Sequence, residues 1–177
     1  LFDHVVSVQR ALQSDSLAEA RSAVAKIVGR DTGEMNEADI VRATVETIAE
    51  STADGIMAPL FYLALGGPPL ALAYKAVSTL DSMIGHMDNR YRWLGWASAR
   101  LDDVANFIPA RITALLLVLS VGIASRSWPA MQRAWQIVLR DGARHPSPNS
   151  GHPEAAMAGA LGVQLGGANR YDGVLVE

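Results

Sequence analysis

Residues 56–74 read IMAPLFYLALGGPPLALAY, nineteen positions without a charge. That length approaches what a helix needs to cross a hydrocarbon core. Yet Gly66-Gly67-Pro68-Pro69 stands in the middle of it. A straight helix does not pass such a sequence, because proline removes a backbone donor and its ring collides with the preceding turn. The stretch therefore reads as a broken or re-entrant pair of apolar segments. Breaks of this kind are tolerated at membrane depth where protein or a polar cavity surrounds them.

Outward from this stretch the apolar spacing stays helical, with no convincing alternation of strand type. Asp3 to Leu12 reads as the end of a helix. Ser16 opens a second helix, with Glu19 three residues on as a capping box. Leu17, Ala20, Val24 and Ile27 form its apolar stripe, and Gly29 stops it. Asn36 caps a third helix expected to run to about Ala53. Downstream, Ile112 to Ser125 is a second apolar run, short for a span unless residues 107–111 are counted with it. Ala155 to Ala168 is a third, built of small residues that allow close helix contact. The fold class is all-α: a membrane-associated helical bundle with broken or re-entrant apolar segments and polar loops.

Composition agrees. The 177 residues are 50% hydrophobic and 19% charged, with a mean hydropathy of +0.15. This is greasy for a soluble domain and polar for a pure membrane bundle. A net charge of −3 leaves no nucleic-acid footprint, and the absence of cysteine excludes disulfides and thiolate metal sites. The sequence opens on Leu1 and closes just after a Gly-rich stretch. We therefore expect one helical domain over residues 1–177, an internal fragment of a longer membrane protein.

The charges are placed against this apolar background. Arg42, Glu46, Glu50 and Asp54 recur every four residues on the third helix. Arg42 can pair with Glu46, while the three carboxylates repel one another. One reading is a solvated face. The other is a cation, Mg²⁺ by its liking for hard oxygen and phosphate, held by Glu46, Glu50 and Asp54 at the mouth of the first apolar run. Lys75 follows that run directly, Asp81 lies six residues on, and Arg90 sits in a dense polar turn. Arg100, Asp103 and Asn106 then share one face of a helix expected to end near Pro109, and Arg111 closes the block. Arg100 with Asp103 is open to a plain ion-pair reading. As a group, charges between apolar segments are costly unless paired or used.

A last polar block, Arg140 to Gly151, contains Pro146 and Pro148 and reads as a loop. Pro153 suits the first turn of a further helix. Loop amides and arginines ahead of a helix start make an anion site. Neither a phosphate-loop nor a dinucleotide-binding pattern is present. His145 and His152 are open to a structural role as well as a ligating one.

Several ordered blocks carry a resemblance. They are KIVGRDT (26–32), IVRATVETIAESTADGIMAPLFYLALGG (40–67), YKAVSTLDSM (74–83), NRY (89–91) and ARLDDVANFIPAR (99–111). RD (140–141), HPSPNSG (145–151) and EAAMAGALGVQLGG (154–167) complete the set. Together they resemble the adenosylcobinamide-phosphate synthase family of cobalamin biosynthesis, CobD/CbiB-like membrane proteins. Ser51 and Ser78 depart from the asparagine expected there, His86 from tyrosine and Gly142 from alanine. The resemblance implies a multi-pass enzyme of the bacterial inner membrane. It also implies an ATP- and Mg²⁺-dependent ligation. A propionate carboxylate of the corrinoid adenosylcobyric acid would be joined as an amide to (R)-1-amino-2-propanol or its phosphate.

On that expectation Lys75, Arg90 and Arg111 contact phosphate, and Asp81 or Asp103 receives the ammonium or takes its proton. Asp31, Arg100, Asn106, Arg140, His145 and Asn149 complete the pocket. The alternative is a non-enzymatic membrane sensor or transport accessory on a related scaffold.

Overall fold

The computed structural model describes residues 1–85, 92–171 and 173–176. Among these the elements run α1 (Phe2–Gln13), α2 (Leu17–Val24), α3 (Glu37–Thr52), a π-helical turn (Ala53–Met57), α4 (Ala58–Ile84), α5 (Arg92–Ser125), α6 (Trp128–Asp141) and α7 (Gly151–Leu161). Two three-residue strands follow, β1 (Asn169–Tyr171) and β2 (Val174–Val176), paired antiparallel with Tyr171 opposite Val174. The all-α, membrane-associated bundle is the observed class. The hairpin adds to it a feature that three-residue strands are too short to announce by alternation.

The chain falls into two compact units, Leu1–Ala49 with Gln164–Glu177, and Glu50–Val163. In the first, Val8, Ala20, Val24, Met35, Ile40 and Ala43 form the core. Asn36 caps α3 as its sequence suggests, its Oδ1 accepting from the Asp39 amide at 2.9 Å while the Asp39 carboxylate accepts from the Asn36 amide at 3.3 Å. The Ser16–Glu19 box does not form: Ser16 sits at the N-cap of α2 without a side-chain bond, and that helix ends at Val24, before Ile27.

In the second unit α4 bears the expected break. Gly66 (φ −147°, ψ 18°) and Gly67 (φ 68°, ψ −165°) leave helical values just before the two prolines. The Gly67 conformation belongs to a region reached essentially by glycine alone. By contrast α5 does not end at Pro109. It runs 34 residues through it, about 50 Å at the helical rise. The proline lacks the N–H that would serve the Ala105 carbonyl one turn back. The Tyr62 hydroxyl donates to that carbonyl instead, at 2.9 Å. The third apolar run is cut at Gly162, which terminates α7 in a left-handed conformation. Its small residues give the close contact expected of them: a Cβ on Gly159 would lie 2.6 Å from the Ala134 Cα of α6. Ala114, Val118, Ala134, Val138, Ala155 and Ala156 make the local core of α5, α6 and α7.

Two stretches, Glu37–Ile84 and Trp93–Ser125, are long and apolar enough to cross a membrane by length and composition. Their most apolar windows are only 6% and 28% buried, unlike the core helices of a soluble domain. Leu63, Leu65 and Leu72 on α4, and Val104, Leu115 and Ile123 on α5, stand exposed.

Candidate functional site

The polar chemistry of the second unit gathers where the π turn, α4 and α5 meet. Tyr74, 3% exposed, follows the apolar run on α4. Its hydroxyl lies 2.9 Å from the Asp54 carbonyl and 2.9 Å from the Asn106 Oδ1. The Asn106 amide nitrogen donates to the Asp102 Oδ2 at 2.9 Å, a pairing that the i, i+4 spacing on α5 makes local. The other Asp102 oxygen, Oδ1, is buried with no hydrogen-bond partner among the described residues. Tyr62 stacks on Tyr74 with ring centroids 5.1 Å apart. Asp81, Asp54 and Asp103 all act electrostatically on Asp102, and Glu50 and Lys75 act on Asp54. A buried carboxylate oxygen without a partner is costly, so this seam is more polar than its packing needs.

A second arm of the same unit comes from the loop between α6 and α7. Asn149 is buried and its amide donates to the Asp103 carbonyl at 2.8 Å. Arg111 donates to the Phe107 carbonyl at 2.7 Å and to the Asn149 Oδ1 at 3.4 Å. Its guanidinium lies 3.5 Å over the Phe107 ring. The loop is internally braced: the Ser147 Oγ accepts from the Asn149 and Ser150 amides. The Ser147 amide donates to the His145 Nδ1 at 3.0 Å. A neutral His145 therefore carries its proton on Nε2, which faces the Glu154 carboxylate at 3.7 Å. His145 is thus a brace of the loop. Burial and the neighbouring Arg111 charge hold His152 below the usual imidazole range.

The first unit uses its carboxylates differently. Glu46 is 4% exposed. Its Oε2 accepts from Arg30 at 2.6 Å and its Oε1 from the Gly166 amide at 2.7 Å. Arg42 therefore does not pair with Glu46; it pairs with Asp39 at 3.2 Å and donates to the Gly166 carbonyl. Arg30, from outside the helix, displaces the i, i+4 partner because it and the Gly166 amide together satisfy both oxygens of a buried carboxylate. Asp31 accepts from the Gly173 amide at 2.7 Å, and its own amide donates to the Arg170 carbonyl at 2.8 Å. Asp31 and Glu46 thus fasten the C-terminal segment.

The sequence-derived residues accordingly divide. Asn106, Arg111 and Asn149 join the bonded seam and its loop arm through their side chains, Asp54 and Asp103 through their backbone carbonyls, and Lys75 and Asp81 act on it electrostatically. Tyr74 and Asp102, not chosen from the sequence, stand within that seam; the Asp102–Asn106 spacing was the available signal. Arg100 is an exposed partner of Asp103 at 3.2 Å. Arg140 is exposed and pairs with its chain neighbour Asp141. Arg90 lies outside the described residues. Among the described residues no three acidic or histidine side chains stand close enough to hold a metal ion together. The Glu46–Glu50–Asp54 stripe is therefore not a three-carboxylate cage. The oxygen donors of Glu50 and Asp54 still suit a hard cation that takes one or two carboxylates and completes its shell with phosphate and water.

Comparison with known proteins agrees with the sequence blocks. The family model described as CobD/Cbib protein matches residues 1–177. A Geobacter metallireducens protein named cobalamin biosynthesis protein CobD is 57% identical over 94% of this chain and 51% of its own length. A Salmonella typhi protein named cobalamin biosynthesis protein CbiB is 53% identical over 96% of this chain and 52% of its own length. A Klebsiella pneumoniae CobD is 53% identical over 100% of this chain and 54% of its own. The chain thus spans about half the length of these relatives. No solved structure matches it. With its whole length matched and its blocks in order, the chain belongs to the CobD/CbiB family of cobalamin biosynthesis proteins.

Proposed function

We propose that the protein containing this chain is an ATP-dependent amide ligase of the bacterial inner membrane. It would join a propionate carboxylate of adenosylcobyric acid to (R)-1-amino-2-propanol or its phosphate. The observation that carries this reading is the seam of Asp54, Tyr74, Asp102 and Asn106, flanked by Lys75 and by the Arg111–Asn149 corner. Lys75 acts on Asp54 at one part of the seam and Arg111 reaches Asn149 at its loop arm, in a chain whose relatives are named for cobalamin biosynthesis.

A carboxylate does not acylate an amine unaided, since its oxygen leaves poorly. In the proposed reaction the propionate oxygen attacks the γ-phosphorus of ATP, releasing ADP and forming an acyl phosphate. The amine nitrogen then attacks the acyl carbon, and the carbon–oxygen bond breaks with departure of phosphate. Lys75 and Arg111 hold phosphate oxygens, and Asp81 or Asp103 takes the ammonium proton. Positioning and charge neutralisation supply most of the acceleration. Glu50 and Asp54 would hold the Mg²⁺ that neutralises phosphate charge when bound.

The test is amide formation by the full-length protein in nanodiscs, followed by mass spectrometry of the corrinoid product. Asp81→Asn keeps the shape and removes the proton acceptor. It is expected to cost on the order of 10²-fold or more in turnover with an unchanged melting curve. A fully active variant would remove Asp81 from the mechanism, and a wild-type protein that forms no amide would remove the ligase reading.

A further inference from the structure

The π turn, residues 53–57, carries Asp54 and has an unusual hydrogen-bond problem. Its pattern is i+5 to i: the Ala58 amide donates to the Ala53 carbonyl. The next bond in that series would run from residue 59 to the Asp54 carbonyl. Residue 59 is proline and has no N–H to give. The Asp54 carbonyl is nevertheless served, because the Tyr74 hydroxyl reaches it at 2.9 Å from a different turn of helix.

The donor that fills this gap is not dedicated to it. The same hydroxyl stands 2.9 Å from the Asn106 Oδ1, and a phenol has a single proton to offer. Asn106 is in turn committed through its amide nitrogen to Asp102. Tyr74 is 3% exposed and its ring is stacked on Tyr62, so its hydroxyl has little freedom to go elsewhere. Single π turns inside helices recur at functional positions. Here the turn shifts the register of the helix just at Asp54, whose carboxylate Glu50 and Lys75 act upon.

We infer that Tyr74 is a positioning residue: its hydroxyl replaces the amide Pro59 lacks, holds the π turn, and thereby aims the Asp54 carboxylate. Proline at 59 makes the turn dependent on a side chain of α4. In consequence the conformation of residues 53–57 answers to the Asn106–Asp102 pair on α5. The link to catalysis rests on the ligase reading above; the structural part does not.

The experiment uses the full-length protein in nanodiscs and reads two quantities. The first is hydrogen–deuterium exchange of the peptide covering residues 53–58. Tyr74→Phe keeps the stacked ring and removes the donor, and is expected to speed exchange there about tenfold. Adding Pro59→Ala to that variant restores a backbone donor at the right position and should return exchange most of the way. Exchange unchanged in Tyr74→Phe, or no recovery in the double variant, overturns the inference. The second quantity is steady-state kinetics. Tyr74→Phe should raise KM for Mg²⁺-bound ATP severalfold, with KM for the amine unmoved and Pro59→Ala rescuing the loss. Equal effects on both substrates without rescue would show Tyr74 to be merely structural. A wild-type protein without ligase activity would sink the ligase reading and leave the exchange result standing.

Discussion

Two proline sites lie inside the long apolar helices, and they resolve in opposite ways. At Pro68-Pro69 the backbone breaks, with Gly66 and Gly67 leaving helical values. At Pro109 the helix continues for the full 34 residues of α5. Each proline deprives a carbonyl one turn back of its donor. What differs is the neighbourhood. Tyr62 lends a hydroxyl to the Ala105 carbonyl, and the Pro109 ring is fully buried. Before Pro68 stand two glycines, one of which adopts a conformation nearly closed to other residues. A proline ends a helix when an adjacent residue can absorb the bend; it is passed when a side chain repairs the lost bond.

That contrast can be broken from either side. The largest effect is expected for Gly67→Ala in α4. An added Cβ would meet nothing nearer than the Pro69 Cδ at 3.8 Å, so the whole penalty is backbone strain, about 1–3 kcal/mol. Circular-dichroism melting of the full-length protein in detergent should show a clear downward shift; melting like wild type would mean the break does not need this conformation. Next comes Tyr62→Phe, which strips the Ala105 carbonyl of its donor and should cost about 1 kcal/mol. Combining it with Pro109→Ala should recover that loss, since alanine at this position brings back the amide; failure to recover would show the hydroxyl is not a stand-in. Smallest is Pro109→Ala alone. The regained donor opposes the lost buried ring, and the net change should stay within about 1 kcal/mol. A larger loss would assign α5 stability to ring packing instead.

Much of the architecture was legible because it follows from local chemistry. The Gly66-Gly67-Pro68-Pro69 break, the Asn36 cap and the loop through Pro146 and Pro148 need only neighbours in sequence. The passage of α5 through Pro109 was not legible, because its repair comes from Tyr62, forty-three residues away from the carbonyl it serves. The same holds for the carboxylates. Glu46 looked like a ligand on its helix face, yet Arg30 and an amide 120 residues downstream use both its oxygens. Asp31, expected in the substrate pocket, holds the Gly173 amide between the two short strands. Asp54, Lys75, Asp81 and Asp103 were singled out because charge beside an apolar run is conspicuous, and Asn106 because it shares a helix face with Asp103. Tyr74 was overlooked because a tyrosine at the end of such a run looks like ordinary interfacial packing, and Asp102 because its neighbour Asp103 fitted the i, i+3 pattern.

The fastening of Glu46 to Gly166 also sets an order of events during synthesis. The first unit is interrupted in sequence by the whole of the second. At elongation rates of roughly 5–20 residues per second, Glu46 waits on the order of 6–24 seconds after it is made before the Gly166 amide exists. Through that interval Arg30 is the partner already at hand to quiet its charge. The earlier part of this unit is therefore translated before the second unit and closed after it, once the described helices of the second unit have left the ribosome's catalytic centre.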